Sequence, residues 1–180
     1  MPVPNDILQL VGAVPRPPGD GIPPGASDDD IAAFSARTGL EVPNELGEWL
    51  RFTNGPSIGP GGFHGIKPAR TELDIEESLR FFPEWKCENS IPVAGDGTGN
   101  YYLLAGRGRF AIDFPVFFFD HELGDSADAR YIVASDLWHF IRFILREELG
   151  ERGWPFSKEK VLLADEGILR CKGIKLPWDT

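Results

Sequence analysis

GLEVPNELGEWLRFTNG, residues 39–55, is the stretch that decides the fold, because it contains one helix end, one helix start and a second helix end. Gly39 tolerates the left-handed backbone that often terminates a helix. Pro43 suits the first turn of the next helix, where its missing N–H would have no partner. Three apolar residues then recur at the spacing of one helix face: Leu46, Trp49 and Leu50. Asn54-Gly55 predicts the end of that helix.

Another helix is predicted immediately upstream of this stretch. Ser27 precedes three acidic residues, Asp28, Asp29 and Asp30. A serine oxygen can accept hydrogen bonds from free backbone N–H groups, and negative charge is favourable at the N-terminal end of the helix dipole. The helix should run to Thr38 and bury three apolar side chains: Ile31, Phe34 and, just past its end, Leu40.

From Asn89 onward the pattern changes from helical to extended. Four short apolar segments, separated by Gly-rich or charged turns, predict strands over residues 91–94, 101–105, 116–120 and 131–134. Such short connections favour an antiparallel meander, because parallel strands need long crossovers. The predicted fold class is therefore α+β, with a mostly antiparallel sheet and helices packed against it.

Three further helices complete the predicted fold. Residues 75–82 form a short helix ahead of Pro83, and residues 157–172 form the last one. Between them, Ser135-Asp136 caps the clearest helix of the chain. Its apolar stripe has helical spacing and must pack on the sheet: Leu137, Phe140, Ile141, Ile144 and Leu145.

The size and composition predict one folded domain preceded by an arm. A chain of 180 residues with 42% hydrophobic residues can bury a real core. The segment 15–25 is rich in Pro and Gly, which prevents regular helix or sheet. We therefore expect an N-terminal arm and linker over residues 1–26. Residues 27–180 would form a single α+β domain with a C-terminal helix and tail.

Charge and cysteine content narrow the function classes. The formal net charge of −10 would repel phosphate backbones and anionic lipid, so neither nucleic acid nor a membrane is an expected direct partner. No apolar run approaches the ~20 residues of a membrane-spanning helix, and a cytoplasmic location is expected. Cys87 and Cys171 are far apart and lack nearby ligand residues, so we expect no disulfide and no zinc site.

Three motifs in this order resemble the SUKH superfamily, which includes bacterial immunity proteins and the fungal Smi/Knr cell-wall regulators. The first is the helix at Asp30-Ile31 with Leu40-Glu41-Val42-Pro43 and Asn54-Gly55. The second is Ile91-Pro92-Val93-Ala94 followed by Gly99-Asn100-Tyr101-Tyr102. The third is Phe119-Asp120-His121-Glu122 ahead of the helix at Ser135. The resemblance covers roughly residues 27–149.

This resemblance implies an α+β domain without a conserved catalytic apparatus. Many bacterial members bind and neutralise a polymorphic toxin, often a nuclease. Nuclease toxins tend to be basic because they bind phosphate, so an acidic antagonist would gain steering and specificity from charge complementarity. We therefore expect a basic toxin domain as the protein partner, and no catalytic residue, metal or cofactor. A regulatory scaffold of the Smi/Knr type is the alternative.

Three exposed polar clusters are the candidate protein interface: Asp28, Asp29 and Asp30; Asp96 and Asn100; and Asp120, His121 and Glu122. The Asp96–Asn100 segment is either a hairpin turn alone or a turn that also binds. It lacks the twelfth-position Glu of a calcium loop, and a strand follows where a phosphate loop would need a helix N-terminus. The segment 120–122 is either a strand-end hydrogen-bonding cluster or part of a metal site.

A small metal-dependent hydrolase is the remaining alternative from another function class. It would use His64, Asp120, His121 or Glu122. Adjacent strand residues point to opposite faces, so residues 120–122 cannot all converge on one ion. The sequence Gly55-Pro56-Ser57-Ile58-Gly59 has the Gly-x-Ser-x-Gly spacing of a nucleophile elbow. It follows the end of a predicted helix and not a strand, so it lacks the strand–turn–helix context that a nucleophile elbow needs.

Overall fold

A four-stranded antiparallel sheet forms the centre of the computed structural model, which describes residues 2–17, 19, 21–124, 126 and 129–179. The strands are β1 (Ile91–Gly95), β2 (Tyr101–Leu104), β3 (Val116–Phe119) and β4 (Arg130–Ala134). Their order in the sheet is β1-β2-β3-β4, as the short connections predict. The backbone N–H of Ile132 also donates to the carbonyl of Lys175, 2.9 Å away, so the C-terminal tail extends the sheet beyond β4.

Helices surround this sheet. In chain order they are α1 (Asn5–Ala13), α2 (Asp28–Thr38), α3 (Asn44–Phe52), α4 (Ile75–Phe81), α5 (Pro83–Cys87), α6 (Leu137–Glu148) and α7 (Lys158–Ala164). Short 3-10 turns occupy Thr71–Leu73 and Glu166–Arg170. The α+β class predicted from the sequence is confirmed. No helix in the described part of the chain has the length and apolar character needed to cross a lipid bilayer.

Local chemistry explains where α2 begins and ends. The Ser27 hydroxyl accepts a hydrogen bond from the backbone N–H of Asp30, and the Asp30 carboxylate accepts one from the backbone N–H of Ser27. This reciprocal capping box satisfies two N–H groups that the helix itself leaves free. At the other end Gly39 has φ +75°, the left-handed conformation that the sequence predicts.

The end of α3 differs from the sequence-based expectation. The helix ends at Phe52, and Thr53 already has an extended backbone. Asn54 does not cap the helix. Its amide donates to the carbonyl of Ile66 at 2.7 Å and accepts from the N–H of Ile66 at 2.8 Å, as a neighbouring strand would. Pro83 also differs, because it opens the separate helix α5 in the first-turn position instead of only ending α4.

Both faces of the sheet are covered. Neighbouring side chains of β3 point in opposite directions, so Phe118 packs on Tyr102 and Tyr131 whereas Phe119 packs on Trp85 of α5. Helix α6 covers the Tyr102 side, where Phe140 contacts the Tyr102 ring. All five residues of the predicted α6 stripe are buried. Burial of this stripe anchors α6 in the core.

The described part of the segment before Ser27 contributes to the same core. Helix α1 packs along α6, and its Asp6 pairs with Arg142 of α6 at 2.5 Å. Four apolar side chains of this segment are buried with the rest of the core: Ile7, Val11, Val14 and Ala26.

The helix predicted over residues 157–172 is wrong in one respect, because the structure divides it at Asp165. This residue has φ −143° and ψ 74°, which ends α7 and begins the 3-10 turn. Its buried carboxylate accepts hydrogen bonds from the backbone N–H and the hydroxyl of Ser135, at 2.7 and 2.6 Å. In a continuous helix Asp165 would have a helical backbone. The non-helical backbone that it has here accompanies the two hydrogen bonds from Ser135 at the start of α6.

We expect Asp165→Asn to lower the free energy of unfolding by roughly 1.5–3 kcal/mol, because hydrogen bonds to a charged group are lost and an amide donor faces a donor. Urea unfolding measures the change. Glu166→Gln removes a similar charge at the neighbouring exposed position and is the matched control. Equal midpoints for Asp165→Asn and the wild type would contradict this role of the carboxylate.

Candidate functional site

Asp96 organises the turn between β1 and β2. One carboxylate oxygen accepts from the N–H groups of Thr98 and Asn100, at 2.8 and 3.0 Å. The other accepts from the Thr98 hydroxyl and the Asn100 amide, at 2.7 and 2.8 Å. Burial raises the pKa of Asp96, but these hydrogen bonds outweigh it and hold the pKa below its usual value. The Asp96 carboxylate is thus engaged within its own turn.

Asn100 connects this turn to the end of β3. Its side-chain oxygen accepts from the backbone N–H of His121 at 3.1 Å and lies 2.8 Å from His121 Nδ1. Asp120 accepts from the N–H of Glu122 at 3.0 Å. The structure therefore brings together two of the three predicted clusters, Asp96–Asn100 and residues 120–122. It arranges them as a hydrogen-bonded, partly exposed corner.

The third predicted cluster, at the start of α2, makes its polar contacts elsewhere. Asp28 pairs with Arg51 of α3 at 2.6 Å, and Asp30 belongs to the capping box. Asp29 is exposed. Two of these three acidic side chains thus have partners within the fold.

The residues of the hydrolase alternative do not form one site. His64 is only 3% exposed, and its burial lowers the pKa of the imidazole to about 4. His121, by contrast, is exposed at the corner beside Asn100. Across residues 2–17, 19, 21–124, 126 and 129–179, no group of three or more His, Cys, Asp and Glu side chains is arranged to hold a metal ion.

The structure instead reveals a cleft between the α2–α3 linker and the long β2–β3 loop. Two adjoining cavities of about 420 and 430 Å³ share four lining residues: Glu41, Pro43, Arg107 and Phe114. We call this feature the acidic cleft, because five carboxylates and two guanidinium groups line it. The carboxylates belong to Glu41, Glu45, Glu88, Asp113 and Asp136, and the guanidinium groups to Arg107 and Arg109.

Ion pairs hold one side of the acidic cleft together. Arg107 bridges Glu41 and Asp113, at 2.7 and 2.9 Å, and its guanidinium lies 4.9 Å from the centre of the Phe114 ring. Arg109 is fixed by Glu88 at 2.8 Å and by the Ser90 hydroxyl at 2.5 Å. Both arginines therefore already contact carboxylates.

Glu45 and Asp136 lie together on the other side of the acidic cleft, where Glu45 also has a hydrogen bond from the backbone N–H of Leu137. Burial, together with the nearby Asp136 charge, raises the pKa of Glu45 to about 6. Burial also acts on Asp136, yet hydrogen bonds from His139 hold its pKa below the usual value. Asp136 is therefore ionised well below neutral pH, and Glu45 is the carboxylate whose ionised form a positive ligand would stabilise further.

Backbone strain is concentrated around the cleft. Ala111 and Phe114 in the β2–β3 loop have φ values of +67° and +56°, and Asn89 in the cleft wall has φ +51°. Non-glycine residues adopt this region at an energetic cost, and such residues cluster at functional sites. The loop is held in place where the N–H of Lys172 donates to the carbonyl of Phe110 at 2.9 Å.

Sequence reasoning did not identify the acidic cleft. In the sequence analysis Glu41 belongs only to the Leu40-Glu41-Val42-Pro43 motif, Glu45 has no assigned role, and Asp136 is only a helix cap. The available signal was the run of acids around a helix start, together with the Gly-Arg-Gly-Arg sequence at 106–109 that a simple turn does not need. Neither signal indicates that two segments 66 positions apart meet in space.

We expect Asn100→Ala to lower the free energy of unfolding by about 1–2 kcal/mol, because Asp96 loses a donor and the N–H of His121 loses its acceptor. Chemical denaturation measures the loss. Asn44→Ala, at an exposed position, is the control. If the two variants unfold at the same denaturant concentration, the Asn100 contacts do not stabilise this corner.

Comparison with known families agrees with this architecture. The sequence model of the SMI1 / KNR4 family (SUKH-1) matches residues 25–142, from just before α2 to the middle of α6. That range contains the whole sheet and every carboxylate of the acidic cleft. No individual curated protein gives a significant match. With most of its length matched and the expected α+β fold, the chain belongs to the SMI1/KNR4 family (SUKH-1).

Proposed function

We propose that this SUKH domain is a non-catalytic protein-binding domain, and that it acts as an immunity protein that neutralises a basic toxin domain by direct binding. The acidic cleft is the observation that supports the proposal. It is concave, lies between two loops, and gathers five carboxylates around two arginines that already have partners. A lysine or arginine from a partner would enter a site of complementary charge.

Glu45 and Asp136 are the residues that we expect to contact such a cation. Their carboxylates repel one another in a partly buried position, and this repulsion contributes to the raised pKa of Glu45. A positive side chain placed between them would replace the repulsion with two attractive interactions. Because the carboxylates are already partly desolvated in the free protein, part of the cost of binding is met before the partner arrives.

The rest of the chain favours the same kind of partner. A net charge of −10 produces a negative field that accelerates the approach of a basic protein. Two further groups of exposed or half-exposed polar residues, Asp28–Asp30 and the corner at Asn100 and His121, would then extend the contact surface. Occlusion of a toxin surface needs only such contacts and no reacting group in the immunity protein.

Toxin suppression tests the proposal. The test needs the neighbouring genes to be searched for one that encodes a C-terminal toxin module. That module would be expressed with and without the chain, and growth and binding measured. We expect the wild type to restore growth. The double variant Glu41→Gln/Glu45→Gln should bind the module about 10–100-fold more weakly and fail to protect. Glu159→Gln, at an exposed position of α7, is the control and should protect fully.

Two results would contradict this proposal. Equal protection by the double variant and the wild type would exclude the acidic cleft as the toxin interface. If the wild type gave no protection but bound an endogenous basic protein through the same two glutamates, the domain would be a regulatory scaffold. Circular dichroism of each variant ensures that lost protection is not lost folding.

Binding of a basic partner should also weaken as the pH falls. In the free protein the pKa of Glu45 is about 6, and a bound cation would lower it because the ionised form is favoured. Below about pH 6, binding must therefore release a proton, and affinity should fall by about tenfold between pH 7 and pH 5. Isothermal titration calorimetry in two buffers of different ionisation enthalpy measures the release. The affinity of Glu45→Gln for the basic partner should depend less on pH. If its pH dependence equals that of the wild type, a group other than Glu45 causes the effect.

A further inference from the structure

A second groove lies between α6 and α7, and its margin reaches the acidic cleft at His139, whose ring nitrogen lies 2.8 Å from the Asp136 carboxylate. Its volume is about 560 Å³. Its main walls are four cationic and two apolar side chains: Arg142, Arg146, Arg152, Lys160, Phe143 and Leu163. We call it the basic groove. In a chain with a net charge of −10, a concave surface with this many cations is unexpected.

Much of this positive charge is not neutralised by the fold. The Arg152 guanidinium donates to the backbone carbonyls of Glu147 and Glu151, at 2.8 and 2.9 Å. Lys160 donates to the carbonyl of Arg152 at 2.6 Å. Carbonyl groups orient these side chains at the C-terminal end of α6 but leave their formal charges in place.

Arg146 is the least engaged cation of the basic groove. Its side chain is half-buried on α6 and, within the described ranges, makes no hydrogen bond or ion pair. Arg142 differs because Asp6 compensates it, and His139 at the groove margin is bonded to Asp136. Of the acidic residues, Glu151 lines the groove, and Glu147 lines a small adjoining cavity, where its charge interacts with Arg152. The cations thus exceed the carboxylates at the groove itself.

An exposed apolar side chain stands at the edge of the same groove. Leu163 of α7 is 90% exposed, although it lies next to Ala164 and across from Phe143. A leucine this exposed adds nothing to the core, whereas a bound aliphatic side chain could cover it. Apolar contact next to a charge-complementary surface is the arrangement found in specific peptide recognition.

We propose that the basic groove binds an acidic peptide segment of a protein partner, with carboxylates placed at Arg146 and Lys160 and an aliphatic side chain placed on Leu163. Charge complementarity determines this choice of occupant. Helix α7 and Arg152 lie beyond residue 142, where the match to the family ends, so the groove is built partly from sequence outside the shared SUKH region. It would give this domain a second interaction surface beside the acidic cleft.

A nucleic acid is a poorer occupant of the same surface. A phosphate backbone carries charge along its whole length and would extend from the groove over a protein surface of net charge −10. A short acidic segment places only a few charges, and within a Debye length of about 8 Å these experience mainly the local cations. The apolar contact at Leu163 also has no counterpart on a phosphate chain.

Defined peptides test this proposal on the full chain. Fluorescein-labelled peptides of about 12 residues would carry Glu and Leu in equal numbers, with matched versions in which Gln or Lys replaces Glu. Fluorescence anisotropy with the wild type should show saturable, salt-sensitive binding of the Glu peptide, and much weaker binding of the Gln version. The Lys peptide should bind the acidic cleft instead, and its binding should weaken in Glu41→Gln/Glu45→Gln. Binding of the Glu peptide should not change in that variant, so each surface has its own test.

Matched variants assign the binding to the groove. Arg146→Ala should weaken binding of the Glu peptide by about 5–10-fold, and Leu163→Asn by about 3–10-fold. Neither side chain supports the core, so both variants should fold normally. Lys158→Ala makes the same charge change as Arg146→Ala on an exposed position of α7 outside the groove lining, and should change affinity by less than about twofold.

Three outcomes would overturn the proposal. The first is equal binding of the Glu peptide to the wild type and to Arg146→Ala. The second is tighter binding of a single-stranded oligonucleotide than of the Glu peptide. The third is self-association in sedimentation experiments that Arg146→Ala abolishes, since the groove would then be covered by a second copy of the chain.

Discussion

Burial of α6 against the sheet is the interaction on which the rest of the structure depends. The side chains of Phe140, Ile141, Ile144 and Leu145 are almost completely removed from water, and each such burial contributes on the order of 1.5–3 kcal/mol before entropy is subtracted. The helix also contacts α1, α3 and β4. Because α6 is fixed on so many sides, the polar residues at its two ends are held in defined positions.

Residues at those two ends line the two charged surfaces. Asp136 stands at the N-terminal end, beside Glu45, and forms part of the acidic cleft. Arg146 lies in the last turn and forms part of the basic groove. They are ten positions apart, which corresponds to roughly 15 Å along the axis. Asp136 and Arg146 each suit the helix dipole at the end where they lie, whereas Glu147 and Glu148 next to Arg146 oppose it.

The elements that could be predicted from sequence are those with local causes. Ser27 and Gly39 determine the limits of α2 through bonds within a few residues, and the short loops determine the antiparallel order of the strands. Asp165 could not be interpreted in this way, because the two hydrogen bonds that hold it come from Ser135, 30 positions away. The acidic cleft could not be predicted for the same reason, because Glu41 and Arg107, which meet there, are 66 positions apart in the sequence. Candidate interface residues such as Asp96 and Asp28 were chosen as exposed acids, yet local hydrogen bonds and ion pairs already engage their charge.

The surface best prepared for a ligand is therefore where the fold leaves its charge uncompensated. Asp96 accepts four hydrogen bonds within its turn and has little to gain from a partner. Glu45 lies partly buried beside another carboxylate, and Arg146 makes no ion pair within the described chain. Neither arrangement maximises the stability of the free domain, because a neutral residue at Glu45 would remove the repulsion. Both gain free energy only when an oppositely charged group arrives, which is the property expected of binding sites and not of structural contacts.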